Sequence, residues 1–169
     1  PIEFKEDHIP GATNIPLFTD EERAIVGIAF REKGLREAVL IGSGFAGNKL
    51  EQLIHRFSEL VEDGQVIVNC KMGGMRSTSL VTLLRSLDLP VMKLAGGYKA
   101  YRRTVRSFFD SFHPSSRFII LHGLAGVGKT KIIQQLSEAI DLERLAGHRS
   151  SLFGSFGRMP NSQKMFESL

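Results

Sequence analysis

The chain has 169 residues, room for one domain or one and a half. Its 42% hydrophobic and 24% charged residues are those of a globular protein, and it has no run of about 18 apolar residues that could span a bilayer. The net charge of +4 admits a polyanionic partner without requiring one, and a single cysteine rules out an internal disulfide, which points to a reducing, cytoplasmic setting.

Pro1-Ile2-Glu3-Phe4 is neither a start methionine nor a signal peptide, so the sequence is expected to continue upstream. Residues 1–18 read as irregular, with a Pro10-Gly11 turn signal. Thr19-Asp20-Glu21-Glu22 is a capping box that predicts a helix to about Glu32, with Gly34 as its stop. Leu50, Leu53, Ile54, Phe57, Leu60 and Val61 form one apolar helix face that ends at Asp63-Gly64. Gln65-Val66-Ile67-Val68-Asn69 reads as a short buried parallel strand. A Gly-rich loop follows, then a helix containing Leu80, Val81, Leu83, Leu84 and Leu87, and a strand from Val91 to Leu94. Gly96-Gly97 breaks the pattern before a helix over about 99–109.

His113-Pro114-Ser115-Ser116 is the expected linker. Beyond it, Arg117-Phe118-Ile119-Ile120-Leu121-His122 reads as a new apolar strand, followed by a Gly-rich loop and a helix with Ile132, Ile133, Leu136, Ala139 and Ile140 on one face. Alternating strands and helices predict α/β architecture with parallel sheets in both halves. Residues 1–112 are expected to form one domain. Residues 117–169 are too few to bury a core and are expected to be the opening part of a second domain.

Cys70-Lys71-Met72-Gly73-Gly74-Met75-Arg76-Ser77 joins the strand over 65–69 to the next helix. Backbone N–H groups of such a loop can converge on an anion, and the helix dipole adds positive potential. Both lower the pKa of Cys70, whose thiolate is the nucleophilic form. Gly73 and Gly74 supply the positive φ angles the loop is expected to need, Met75 completes the anion loop, and Arg76 offers a fork to an oxyanion.

Gly123-Leu124-Ala125-Gly126-Val127-Gly128-Lys129-Thr130 satisfies the phosphate-loop pattern between an expected strand and an expected helix. Gly123, Gly126 and Gly128 would let the backbone cradle phosphates, Lys129 would reach a terminal phosphate, and Thr130 could hold Mg²⁺. The motif leaves the phosphorylated ligand, nucleotide or other, unspecified.

The Cys-x5-Arg loop resembles the active-site loop of rhodanese-like sulfurtransferases, which dual-specificity phosphatases of the cell-cycle type share. Glu3-Phe4, His8-Ile9-Pro10-Gly11-Ala12 and Asn14-Ile15-Pro16 are similar to the rhodanese pattern, as is Leu94-Ala95-Gly96-Gly97-Tyr98. The Asp-x-Arg strand that normally precedes Glu-Phe in rhodaneses is not in this sequence. A rhodanese domain followed by a phosphate loop resembles the bacterial tRNA 2-selenouridine synthase family. So do Gly96-Gly97-Tyr98-Lys99-Ala100-Tyr101-Arg102, Asp141-Leu142-Glu143 with Leu145-Ala146 and His148-Arg149, Phe153-Gly154, and Asn161-Ser162-Gln163-Lys164-Met165-Phe166-Glu167. The chain departs from that family at Lys71-Met72, where Trp-Arg is usual, at Ser150-Ser151, where Gly-Ser is common, and in reaching Asp141 sooner. The resemblance implies a transferase that replaces the sulfur of wobble 2-thiouridine in tRNA with selenium from selenophosphate, with a geranylated species made from geranyl diphosphate. It implies Cys70 as the chalcogen-handling nucleophile, Arg76 as its anion partner and the phosphate loop as a binder of a phosphorylated ligand such as geranyl diphosphate.

Lys99, Arg102, Arg103 and Arg106 recur at i, i+3, i+4 and i+7, predicting a basic helix face that could contact tRNA phosphates, or simply a solvated one. Tyr98, Tyr101, Val105, Phe108 and Phe112 form an apolar stripe expected to pack against the domain. The five histidines are scattered and give no metal spacing. Other readings stay open. A rhodanese-type sulfurtransferase or persulfide carrier with a regulatory nucleotide-binding domain would transfer sulfur from thiosulfate without tRNA. A phosphatase usually has His before the cysteine, where Asn69 stands. A non-catalytic binding module would have a Cys70 thiol near the ordinary value of about 8.5.

Overall fold

A computed structural model describes residues 2–115, 117–124, 126–149 and 153–169. Ser116 of the expected linker, Ala125 of the phosphate loop and the departure at Ser150-Ser151 lie outside the described residues. The chain forms two units, Pro1–Arg103 and Thr104–Leu169.

The first unit opens with α1 (Ile2–Glu6), a single turn where irregular chain was expected. Its start is fixed by a contact distant in sequence: the Ile2 N–H donates to both carboxylate oxygens of Asp20 at 3.0 Å. The capping box forms as predicted and starts α2 (Asp20–Lys33): the Glu22 N–H donates to Thr19 Oγ1 at 3.2 Å and the Thr19 N–H to Glu22 Oε2 at 2.8 Å. Gly34, at φ +85°, ends α2 and admits α3 (Leu35–Gly47), a helix the sequence pattern did not reveal. α2 packs on α3 through Ala29 and Ala38, both buried. Gly42 brings α3 close: a Cβ there would lie 3.3 Å from the Phe18 ring and 3.7 Å from Val26.

α4 (Leu50–Glu62) carries the predicted apolar face, with Leu53 and Phe57 buried. β1 (Val66–Val68) and β2 (Val91–Lys93) pair in parallel, Val66 opposite Val91, Ile67 opposite Met92 and Val68 opposite Lys93. Between them runs α5 (Met75–Ser86). Phe57, Val68, Leu80, Val81, Leu84 and Val91 form one core, with Leu84 fully inaccessible. Burying each such side chain stabilises the fold by about 1.5–3 kcal/mol. β1 was expected to be buried on both faces. Instead Ile67 and its partner Met92 are exposed, because α5 and α4 cover only the face carrying Val68 and Val91.

α6 (Gly97–Ser111) starts two residues before its expected onset and runs from the first unit into the second. The second unit otherwise contains three short helices, α7 (Lys129–Ile133), α8 (Leu142–Ala146) and α9 (Gln163–Phe166), with side-chain caps from Asp141 and Ser162 on the last two. α8 packs against α9, and Asn161 ties them by donating from Nδ2 to the Leu145 carbonyl at 2.7 Å. The strand expected over 117–122 does not form among the described residues. Ile119 and Ile120 are 91% and 86% exposed, so the run neither pairs nor buries its side chains. The helix expected through Ile140 stops at Ile133, and Leu136 and Ile140 are exposed. A short helix without a packed face is marginal in water, which accounts for the early stop.

Candidate active site

Cys70 follows β1 and leads into a loop whose shape comes from glycine contacts. Gly73 has φ +62°, and a Cβ on it would sit 2.5 Å from the Gly97 nitrogen and 2.7 Å from the Gly96 carbonyl carbon. Gly97, buried at φ +59°, is equally constrained: a Cβ there would collide with the Cys70 carbonyl and the Gly73 nitrogen. The two segments therefore interlock backbone to backbone. The Tyr98 N–H donates to the Cys70 carbonyl at 3.0 Å and the Lys99 N–H to the Lys71 carbonyl at 2.9 Å, while the Gly73 N–H closes the turn onto the Cys70 carbonyl at 3.3 Å. The first turn of α6 thus finds acceptors for its otherwise unpaired N–H groups in the cysteine loop. Gly74 was expected at positive φ. It sits instead at φ −90° as the N-cap of α5, and its carbonyl receives the Thr78 N–H at 3.1 Å.

The half-buried Cys70 lies above the start of α5. Its Sγ is 3.2 Å from Ser77 Oγ, and Ser77 is 2% exposed. Burial pushes the thiol pKa up. The Ser77 hydroxyl and the backbone N–H groups of Ser77, Gly74 and Met72 outweigh it, so the thiol titrates below its ordinary value of 9.0. Ser77 Oγ also lies 3.2 Å from the Gly74 carbonyl, a second acceptor for its single hydrogen. When Cys70 is ionised the Ser77 hydroxyl donates to the thiolate, the stronger acceptor. Met75 is half exposed at the mouth of the loop.

Arg76 is drawn to a residue 73 positions away: its Nη1 donates to Glu3 Oε2 at 3.1 Å. Arg23 from α2, at 3.7 Å, and Lys71 from the loop, at 3.9 Å, reach the other oxygen of Glu3. Sequence reasoning missed Ser77, although it directly follows Arg76. It also missed the organising role of Glu3, for which no local signal exists. Gly96-Gly97-Tyr98 was noted only as a likeness, and its part in shaping the loop emerges from the interlock.

Of the expected basic helix face, Lys99, Arg103 and Arg106 are exposed, but Arg102 is 7% exposed and does not belong to it. Its charge acts instead on Tyr98, whose hydroxyl is pushed up by burial and by Asp7 and pulled down by Arg102. In the apolar stripe, Tyr98 and Tyr101 are half-buried, with ring centroids 6.1 Å apart, whereas Phe108 and Phe112 are exposed.

The phosphate loop of the second unit has Gly126 at φ +83° and Gly128 at φ +86°, the latter as the N-cap of α7. Lys129 Nζ folds over the loop and donates to the Gly123 and Leu124 carbonyls, each at 2.7 Å. Thr130 follows on the first turn of α7 and is exposed.

Residues 1–104 match the rhodanese-like domain family, and residues 116–169 match the tRNA 2-selenouridine synthase AAA domain. The tRNA 2-selenouridine synthase of Aeromonas salmonicida (strain A449) is 35% identical over 165 residues, covering 96% of this chain and 44% of that protein. That of Marinobacter nauticus is 37% identical over 172 residues, covering 99% of this chain and 46% of the relative. The chain therefore spans less than half the length of these curated relatives. Among solved structures, the N-terminal domain of a candidate ATP/GTP binding protein from Clostridium difficile 630 superposes with a TM-score of 0.60 at 41% identity, covering 61% of this chain and 81% of that one.

Proposed function

This chain belongs to the rhodanese-like domain family, and from that premise we propose that it works as part of a tRNA 2-selenouridine synthase, exchanging the sulfur of 2-thiouridine in tRNA for selenium. One observation carries the reading: a loop that lowers the pKa of Cys70 lies in the same chain as a segment matching the AAA domain of selenouridine synthases. In this reading residues 1–112 are the rhodanese-like domain, 113–116 the linker and 117–169 part of the phosphate-loop domain. Cys70 is the nucleophile that handles the chalcogen, its thiolate favoured by the Ser77 hydroxyl and by the backbone amides of Ser77, Gly74 and Met72 in the anion loop of Gly73, Gly74 and Met75. Arg76 keeps N–H groups beyond the one it spends on Glu3, and these would take the oxyanion of the donor, selenophosphate.

The phosphate loop would bind a phosphorylated co-substrate, geranyl diphosphate in this reading. The positive φ angles at Gly126 and Gly128 are those a phosphate cradle needs, and Lys129 already lies across the loop, where a phosphate would replace the Gly123 and Leu124 carbonyls as its partner. Thr130 would hold Mg²⁺ together with oxygens of the ligand itself. Lys99, Arg103 and Arg106 would meet tRNA phosphates.

The test uses full-length protein, wild type and Cys70→Ala, with 2-thiouridine-containing tRNA, selenophosphate and geranyl diphosphate, and reads digested nucleosides by mass spectrometry. Selenouridine from the wild type alone is expected. Selenouridine from both would remove Cys70 from the chemistry. Selenouridine from neither, with sulfur transfer from thiosulfate intact, would make the protein a rhodanese-type sulfurtransferase.

A further inference from the structure

Glu3 is the hub of a charge cluster beside the cysteine loop that the reaction scheme above leaves without a role. Its side chain is 21% exposed, less than that of any cation it touches, and three cations from two separate segments converge on it: Arg23, Lys71 and Arg76. Arg23 comes from α2, and Lys71 and Arg76 from the loop and the start of α5. Glu3 itself is anchored through α1, whose N-terminus is bonded to Asp20 one residue after the cap of α2. The backbone that carries Glu3 is therefore held by a contact separate from the cations. Exposed ion pairs add little to stability, so stability alone does not account for the cluster. Its geometry does two other things. It holds Arg76 by Nη1, with no other guanidinium hydrogen bond seen among the described residues, which orients the rest of the fork. It also leaves three cations against one carboxylate, a net formal charge of +2.

We propose that Glu3 is a positioning residue that presents Arg76, with Lys71 and Arg23, as a seat for a doubly charged oxyanion next to Cys70. The proposal rests on the reading of Cys70 and Arg76 given above and extends it to the donor's charge: a free dianion is preferred over a singly charged one and over the phosphodiester of RNA. Lys71, the residue after Cys70, supplies the second cation of the seat from within the cysteine loop.

The experiment measures alkylation of Cys70 by iodoacetamide in the full-length protein, protected by sulfate as an unreactive dianion, nitrate as a monoanion, or a short single-stranded RNA. Sulfate is expected to protect the wild type at lower concentration than nitrate. Glu3→Gln should need about tenfold more sulfate for the same protection, the scale of losing one hydrogen bond to a charged group. Glu3→Asp keeps the charge but shortens the reach, and should shift protection in the same direction; it also serves if Glu3→Gln does not fold. In an Arg76→Met background, Glu3→Gln should add no further loss. An equal loss in that background would show that Glu3 does not act through Arg76. Tighter sulfate protection in Glu3→Gln would make Glu3 a competitor of the anion. Protection by RNA but not by sulfate would overturn the dianion assignment. A wild type whose Cys70 is neither reactive nor protected by any anion would overturn the reading of Cys70 itself, before any Glu3 variant is compared.

Discussion

Gly97→Ala tests whether the cysteine loop is shaped by its interlock with the start of α6. The new methyl would run into the Cys70 carbonyl and the Gly73 nitrogen and would come within 3.0 Å of the Gly73 Cα. All three are backbone atoms, so no side chain can rotate away. Overpacking of this kind costs about 1–3 kcal/mol, and the left-handed φ of +59° adds about 1–2 kcal/mol for a residue with a Cβ. The expected loss is therefore about 2–5 kcal/mol, a large share of a typical domain's 5–15 kcal/mol. The control is Gly11→Ala: it has a similarly positive φ of +78° but nothing within 4 Å of the new methyl, so it should cost only about 1–2 kcal/mol. Urea unfolding of both variants isolates the packing contribution. Iodoacetamide kinetics should show Cys70 slowed in Gly97→Ala and unchanged in Gly11→Ala. Equal destabilisation by the two variants, with Cys70 reactivity preserved in both, would refute the interlock.

Ser77→Ala removes the hydroxyl that works against burial, so the Cys70 thiol should titrate higher and alkylate about three- to tenfold more slowly at pH 7, as read from a pH–rate profile. The same shift appears in stability. A thiol whose folded pKa lies below 9.0 contributes stability fully above pH 9.0 and loses it as pH falls through the folded value, so wild-type stability should rise with pH across that window and the slope should flatten in Ser77→Ala. On α6, Arg102→Ala should lower the melting temperature because Arg102 is buried, whereas the Arg103→Glu, Arg106→Glu double variant should melt like wild type. The double variant should also bind tRNA more weakly, with the slope of log affinity against log salt reduced by about 0.9 for each phosphate it no longer neutralises; an unchanged slope would remove these residues from the tRNA surface.

Legibility tracked how local each determinant is. The α4 face, the capping box at Thr19 and the succession β1, cysteine loop and α5 were readable because apolar spacing and cap chemistry lie within a few residues of each other. α1 was not, because its first N–H is held by Asp20, 18 positions away. α3 was hidden by Gly42, Ser43, Gly44 and Gly47, poor helix formers that obscure the pattern, yet Gly42 is what lets the helix approach Phe18 and Val26. At the site, Cys70 and Arg76 stood out through their spacing, but neither Glu3 nor the close approach of Gly73 to Gly97 could be placed without the fold. Arg102 shows the converse error: helical spacing grouped it with Arg103 and Arg106, although spacing alone does not say which positions of a basic stripe turn inward.

The two glycine loops make the same point from opposite sides. The phosphate loop owes its conformation to its own residues: positive φ at Gly126 and Gly128, and a lysine that bonds carbonyls five and six positions back. It takes this conformation although the apolar run before it forms no strand among the described residues, because a strand exists only through pairing and a turn does not. The cysteine loop owes its conformation to α6, through Gly97 and the Tyr98 and Lys99 amides more than 25 positions downstream. Its chemistry follows from that dependence. The Lys71 carbonyl is turned toward α6, which points the Met72 N–H of the same peptide the other way, toward the sulfur, where the Gly74 and Ser77 amides at the start of α5 join it. Cys70 titrates low because the Ser77 hydroxyl and these peptide groups outweigh its burial, and the second Gly-Gly segment contributes by holding the loop that carries them.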